Sequence, residues 1–150
     1  MMLSPAAAAD VRVFIYDWIV AHGEPPLTQD IGAHLGVSAN DARDAIANLN
    51  IGKAVLCHPV SGEIWMAGPF AASETPYRVV GSHASWWANC AWDSLGIAAI
   101  VHEDVVIEAS CADCGEPMRM RVKQSDGVQG EGLVHLLLPV REWYRDIGYT

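Results

Sequence analysis

Most of the chemistry this sequence could perform rests on its cysteines, Cys57, Cys90, Cys111 and Cys114, and on the acids beside them. Cys90 and Asp93 stand three apart in the run Trp86-Trp87-Ala88-Asn89-Cys90-Ala91-Trp92-Asp93, inside a stretch, Ser85–Ile97, that reads as an apolar helix. At that spacing two helical side chains share a face, with β-carbons about 5–6 Å apart. A thiol held against a carboxyl works as a nucleophile or soft-metal ligand beside a proton donor or acceptor. Trp86, Trp87, Trp92, Leu95 and Ile97 make the surroundings apolar. Desolvation there keeps a carboxylic acid protonated toward neutral pH, as a proton donor requires. The plainer reading of the same pair is a buried thiol acting as a small hydrophobe and a solvated aspartate.

Cys111-Ala112-Asp113-Cys114-Gly115 is a CxxC knuckle with a glycine that permits a tight turn. One such pair is half of a tetrahedral zinc site, which needs two more ligands. Cys57-His58 would supply them only if the two halves of the chain fold together, and the sequence holds no second CxxC. A thioredoxin-like redox role wants the motif at a helix start after a strand, whereas this one falls in a turn between strands. The histidines (His22, His34, His58, His83, His102 and His135) show no HxH or HExxH spacing. His83, just ahead of the Cys90 segment, is the one that can approach it. The sequence has no Gly-rich phosphate loop, GxSxG elbow or dinucleotide fingerprint.

The elements that must position these groups follow from periodicity. Val11, Phe14, Ile15, Trp18 and Ile19 recur at helical spacing, and Gly23 with Pro25-Pro26 ends that helix. Thr28 caps a second helix carrying Ile31 and Leu35. Gly36-Val37 makes a turn, and Ser38 caps a third helix with Ala42, Ala45, Ile46 and Leu49 on one side. Ala54–Cys57 and Glu63–Met66 read as a hairpin around Pro59–Gly62. Three helices and a hairpin are the plan of a winged helix-turn-helix, so residues 1–66 are expected to form a winged-helix-like module. Residues 67–80 read as a Pro-containing linker, and 81–150 as a second module. There the Trp-rich helix precedes strands Val105–Ser110 and Met118–Val122, which flank a turn at Cys111–Pro117. A loop over Lys123–Gly132, a third strand Leu133–Leu138 and a helix start at Arg141–Asp146 complete it. The expected class is α+β, a small antiparallel sheet packed on the Trp-rich helix.

Composition narrows the partners. A chain of 150 residues, 51% hydrophobic and with six Trp, is long and apolar enough for a core and unlike a disordered segment. No apolar run reaches the ~18 residues that would span a bilayer. Nine basic residues against eighteen acidic ones, a net charge of −9, oppose both a phosphate backbone and an anionic membrane surface. The third helix, where base contacts would be made, opens Ala39-Asn40-Asp41-Ala42-Arg43-Asp44, one cation against two carboxylates. Through residue 65 only Arg12, Arg43 and Lys53 face Asp10, Asp17, Glu24, Asp30, Asp41, Asp44 and Glu63. A DNA-binding regulator is therefore disfavoured. Met1–Asp10 has no basic region ahead of its alanines, which predicts a cytoplasmic protein whose thiols stay reduced.

One family fits the ordered motifs. The run Trp87–Ile97, the preceding Gly68-Pro69-Phe70 and Thr75-Pro76-Tyr77-Arg78-Val79, and the following Ser110-Cys111 and Gly115-Glu116-Pro117 resemble the alkylmercury lyase (organomercurial lyase) family over roughly Pro25 to Val140. The resemblance implies protonolysis of a carbon–mercury bond, with Cys90 as a mercury-capturing thiolate and Asp93 as the carboxyl that carries the proton to the leaving carbon. It implies a small organomercurial as substrate, small thiols as helpers and no required cofactor. Soft thiolate sulfur does select thiophilic metals. Cys111 falls where the family has a cysteine of more structural character. The family's second catalytic cysteine would lie in a continuation of Arg141–Thr150, a stretch without cysteine, so the sequence reads as a shortened or diverged form. Cys111 or Cys114 would substitute only if their hairpin folds toward Cys90. Without a second thiolate the expectation is mercury binding with slow or absent cleavage. The corresponding non-enzyme reading is a thiophilic-metal protein holding mercury, copper or zinc through Cys90, Cys111 and Cys114.

Overall fold

The computed structural model describes residues 4–148. The first three residues of the Met1–Asp10 stretch, and Tyr149 and Thr150 at the end of the Arg141–Thr150 stretch, lie outside the described residues. Three helices come first: α1 (Pro5–His22), α2 (Thr28–Leu35) and α3 (Ala39–Ile51). Five strands follow, β1 (Leu56–Cys57), β2 (Ile64–Ala67), β3 (Phe70–Ala71), β4 (Arg78–Val80) and β5 (Ser85–Ala88). Helix α4 (Ala91–Val101) then leads to β6 (Val105–Ser110), β7 (Pro117–Lys123), β8 (Gly127–Gln129) and a 3₁₀ turn at Val140–Arg145. The strands form one sheet in the order β1-β2-β3-β5-β4-β6-β7-β8. Neighbours pair antiparallel throughout. The class is α+β, as expected, with a helical N-terminal region.

Local chemistry explains the helix ends. Ser4 accepts from the N–H of Ala7 at the start of α1, and Ser38 accepts from that of Asp41 at the start of α3. Thr28, expected to cap α2, is instead its first residue. The Leu27 N–H donates to the Asp30 carboxylate at 2.9 Å, so Asp30 does the capping from inside the helix. Thr28 is left to tie α2 to the β1–β2 hairpin, where its hydroxyl and N–H both donate to Glu63, at 2.7 and 3.1 Å. Gly23 ends α1 with φ of 82° and sits against the Ser85 carbonyl, where a side chain would collide.

One core joins the helices to the sheet. Val11, Ile15 and Ile19 of α1, Ile31 of α2, Ile46 of α3 and Ile97 of α4 pack with Val79, Trp86 and Ile107 of the sheet. Trp86, 1% exposed, donates its indole N–H to the Ile19 carbonyl at 2.9 Å. It therefore fixes β5 to the end of α1. Trp86→Phe is expected to cost about 1–3 kcal/mol, from lost ring volume and the lost donor. Urea unfolding followed by far-UV circular dichroism measures it, and an unchanged midpoint would refute the tie.

Several expectations need correction. The helix predicted over Ser85–Ile97 is a strand, Ser85–Ala88, followed by α4 from Ala91. Trp86 and Ala88 are buried while Ser85 and Trp87 are half-buried, a period of two that aromatic residues favour in strands. The linker 67–80 carries β3 and β4, short strands that bridge β2 and β6 through β5. The loop Lys123–Gly132 contains β8, set off by Asp126-Gly127, with Gly127 at φ 73°, a dipeptide suited to hairpin turns. Leu133–Leu138 pairs with no strand among the described residues. Val134, Leu136 and Leu137 instead lie along a cavity wall, and periodicity does not tell the two kinds of apolar surface apart. The helix start expected at Arg141–Asp146 is a short 3₁₀ helix, Val140–Arg145.

Candidate active site

The residues between β5 and α4 form a corner that several elements clamp. Asn89 donates its N–H to the Pro69 carbonyl (3.2 Å) and its side-chain amide to the Gly68 carbonyl (2.9 Å). Thr75 donates its hydroxyl to the Ala88 carbonyl at 2.6 Å, and Ala88 in turn donates its N–H to the Tyr77 carbonyl. The segment read from sequence as a linker is thus the brace that holds this corner. Pro69 also packs near Gly96, seating α4.

Cys90 is the N-cap residue of α4, in extended conformation (φ −151°, ψ 177°), and Asp93 lies in the first turn. The pair therefore spans a helix start instead of sharing an interior helix face. Both line a cavity of about 590 Å³ whose wall includes Trp65, Tyr77, Asn89, Trp92 and, from the C-terminal segment, Leu136, Trp143 and Tyr144. This volume is in the range of small-molecule sites. Lys53, also on this wall, lies 3.9 Å over the Tyr144 ring.

Burial pushes the Cys90 thiol above its ordinary pKa, the backbone N–H groups of Asp93 and Trp92 pull it down, and the charge and acceptor character of the Asp93 carboxyl raise it. Burial likewise raises Asp93, against lowering by the Asn89 side chain and the Cys90 thiol. The coupling is one-sided: the Asp93 carboxyl holds back ionisation of the thiol, while the thiol favours the carboxylate. The helix N-terminus favours negative charge on whichever is ionised. Such a pair can deliver a thiolate to a soft electrophile and move the displaced proton to the neighbouring carboxyl.

Two groups at this corner had escaped the sequence reading. Tyr16 of α1 is raised by burial, lowered by Arg12 and raised by Asp93 and Tyr144, which places its phenol in the field of the carboxyl. Asn89 keeps its Oδ1 buried with no partner among the described residues. A polar side chain on a helix read only for its apolar stripe carries no signal of either role. Gly68, at φ 54°, has the Tyr16 hydroxyl where a β-carbon would stand. Gly68→Ala is expected to destabilise by about 1–3 kcal/mol from backbone strain and collision. Adding Tyr16→Phe, which removes the colliding atom, should recover part of the loss in thermal unfolding. Purely additive losses would show that the two residues do not meet.

Cys111 and Cys114 lie together in the β6–β7 turn and are not part of the cavity wall. Cys57 is on β1, at the opposite end of the sheet order from that turn. Among the described residues no group of three or more His, Cys, Asp or Glu side chains is arranged to hold a metal. The structure therefore gathers neither a joint Cys90–Cys111–Cys114 site nor the Cys57-His58 completion of a zinc site. His83 is engaged elsewhere, beside Glu103 and Ser82. Cys90 is the one cysteine among the described residues of the cavity wall.

The sequence profile of the alkylmercury lyase family matches residues 70–146, a span that holds Cys90, Asp93, the brace around Tyr77 and most of the C-terminal wall. The chain belongs to the alkylmercury lyase family. Among solved structures, this lyase-family chain resembles the mercury-bound form of MerB2, with a TM-score of 0.66 and 17% identity. The match covers 84% of this chain and 60% of that one. At that identity the likeness extends to the fold, the helical N-terminal region included. No curated protein matches the chain. Among the described residues of this family member, no helix is long and apolar enough to cross a membrane.

Proposed function

We propose that this protein cleaves carbon–mercury bonds of small organomercurials, with Cys90 as the capturing thiolate and Asp93 as the proton carrier. The observation that carries the reading is the Cys90–Asp93 pair at the start of α4, with both residues lining a cavity of small-molecule size. Membership in the alkylmercury lyase family supports the substrate class.

The Cys90 sulfur attacks mercury, a sulfur–mercury bond forms, and the thiol proton passes to the Asp93 carboxylate while the mercurial's former anionic ligand departs. A small-molecule thiolate then adds to the same mercury, because Cys90 is the one cysteine among the described residues of the wall. The carbon–mercury bond breaks with its electron pair on carbon, and Asp93 returns the proton there, releasing hydrocarbon. Mercury stays divalent throughout, held between two sulfurs. Raised by burial, the Asp93 acid is available at a higher pH than an ordinary carboxyl, and the indole and phenol rings of the wall suit an alkyl or aryl group. We place this chemistry in the cytoplasm, where small thiols abound and all four cysteines can remain the free thiols they are here.

The test is incubation with phenylmercuric ion and excess small thiol, with headspace detection of benzene. Release above the thiol-only rate is expected, and none above it would overturn the reading. The single wall thiol favours one alternative, a protein that holds the mercurial without cleaving it. Stoichiometric retention of phenylmercury with no benzene would establish that instead.

A further inference from the structure

We propose that Cys111 and Cys114 form a second, separate site that chelates a soft, two-coordinate d¹⁰ cation such as the mercuric ion. The turn between β6 and β7 is closed by two backbone bonds, Cys111 N–H to the Glu116 carbonyl (2.8 Å) and Gly115 N–H to the Cys111 carbonyl (2.9 Å). Gly115 takes φ of 75°, which lets the chain double back directly after Cys114. The closed turn holds Cys111 and Cys114, three residues apart, within one short loop, the CxxC spacing at which two thiolates can ligate a single cation. Cys114 is exposed and Cys111 half-exposed, so a cation can reach both.

The number of ligands decides the class of ion. Zinc in a structural site demands four, and no group of three or more candidate ligands exists among the described residues. Two thiolates satisfy a soft cation that prefers linear coordination, and thiolate selects such cations over harder ones. On binding, two sulfur–metal bonds form, both thiol protons leave to solvent, the ion's previous ligands depart, and no oxidation state changes. The site stands outside the cavity of Cys90, so it holds or fails independently of the lyase reading.

The test uses the full chain carrying Cys90→Ser, reduced and given one equivalent of mercuric ion with excess monothiol. Chelation should hold the ion about 10²-fold more tightly than one thiol does, giving one mercury per chain in non-denaturing mass spectrometry. Adding Cys111→Ser or Cys114→Ser should remove it, with Cys57 present throughout as the single-thiol control. Mercury retained without both thiols, or stripped from the Cys90→Ser chain as readily as from the control, would overturn the proposal. In the unsubstituted chain, mercuric ion should protect the Cys111 and Cys114 peptide from alkylation, a reading that does not depend on any variant folding. Equal protection by zinc ion alone would overturn the two-coordinate assignment.

Discussion

Cys90→Ser is expected to reduce benzene release from phenylmercuric ion to the rate of the free-thiol control, without lowering the melting temperature. The loss follows from softness: a hydroxyl oxygen is a poor ligand for mercury and at neutral pH is not ionised, so no sulfur–mercury bond forms and the carbon is never activated. The fold survives because of where the residue stands. Cys90 is the N-cap of α4, where its sulfur is only a weak acceptor for the N–H groups of Trp92 and Asp93, whereas serine is a favoured N-cap whose oxygen accepts from those groups strongly. The substitution should leave stability unchanged or raise it by a few tenths of a kcal/mol up to about 1 kcal/mol. Headspace chromatography and thermal unfolding read the two halves separately. Release well above the control in a folded Cys90→Ser protein would remove Cys90 from the chemistry. A loss of activity with a lower melting temperature would mean only that the corner had collapsed.

The parts of the molecule that the sequence made legible are those where one local rule acts alone. Ser38 caps α3, Val11, Ile15 and Ile19 make the buried stripe of α1, and Val105–Ser110 is a strand, because cap chemistry and periodicity suffice there. The Cys90–Asp93 partnership was legible too, although for the wrong local reason. The expected shared helix face is really a cap residue and the third residue of the first turn, and both geometries bring i and i+3 together. The Trp86-Trp87 run misled because a short apolar run fits a buried helix segment as well as a strand, and the difference lies in the neighbours β3 and β4, which sequence spacing does not disclose. Those neighbours in turn hid inside Ala67–Val80, where short strands between prolines look like a connection. Tyr16 and the collision that makes Gly68 a glycine were beyond reach for the same reason. Each depends on a contact between α1 and the turn after β2, distant in sequence. The hairpin of Cys111 and Cys114 was visible as a motif, but its distance from Cys90 is a property of the assembled sheet.

Asp93→Asn should separate capture from cleavage. Removing the proton carrier is expected to slow benzene release by about 10²–10⁴-fold, while phenylmercury still binds Cys90 in stoichiometric amount. The same change should make Cys90 more reactive, not less. Beside burial, the Asp93 charge and its acceptor oxygen both raise the Cys90 thiol, against lowering by the Asp93 and Trp92 backbone N–H groups, and the amide carries no charge. The thiol pKa then falls part of the way toward its ordinary value, the thiolate fraction at a fixed pH below it rises, and iodoacetamide alkylates Cys90 faster. Stability gives an independent sign. Asp93 has a folded pKa raised above the unfolded one, so its contribution is fully present below the ordinary carboxylate range and is lost as pH rises through the raised value. Asparagine does not titrate, so the stability of Asp93→Asn relative to the parent should increase with pH across that window, and parental benzene release should decline as the acid form is titrated away. Slower cleavage accompanied by slower alkylation of Cys90 would contradict this coupling, since it would mean that Asp93 had been holding the thiol in its reactive form rather than holding it back.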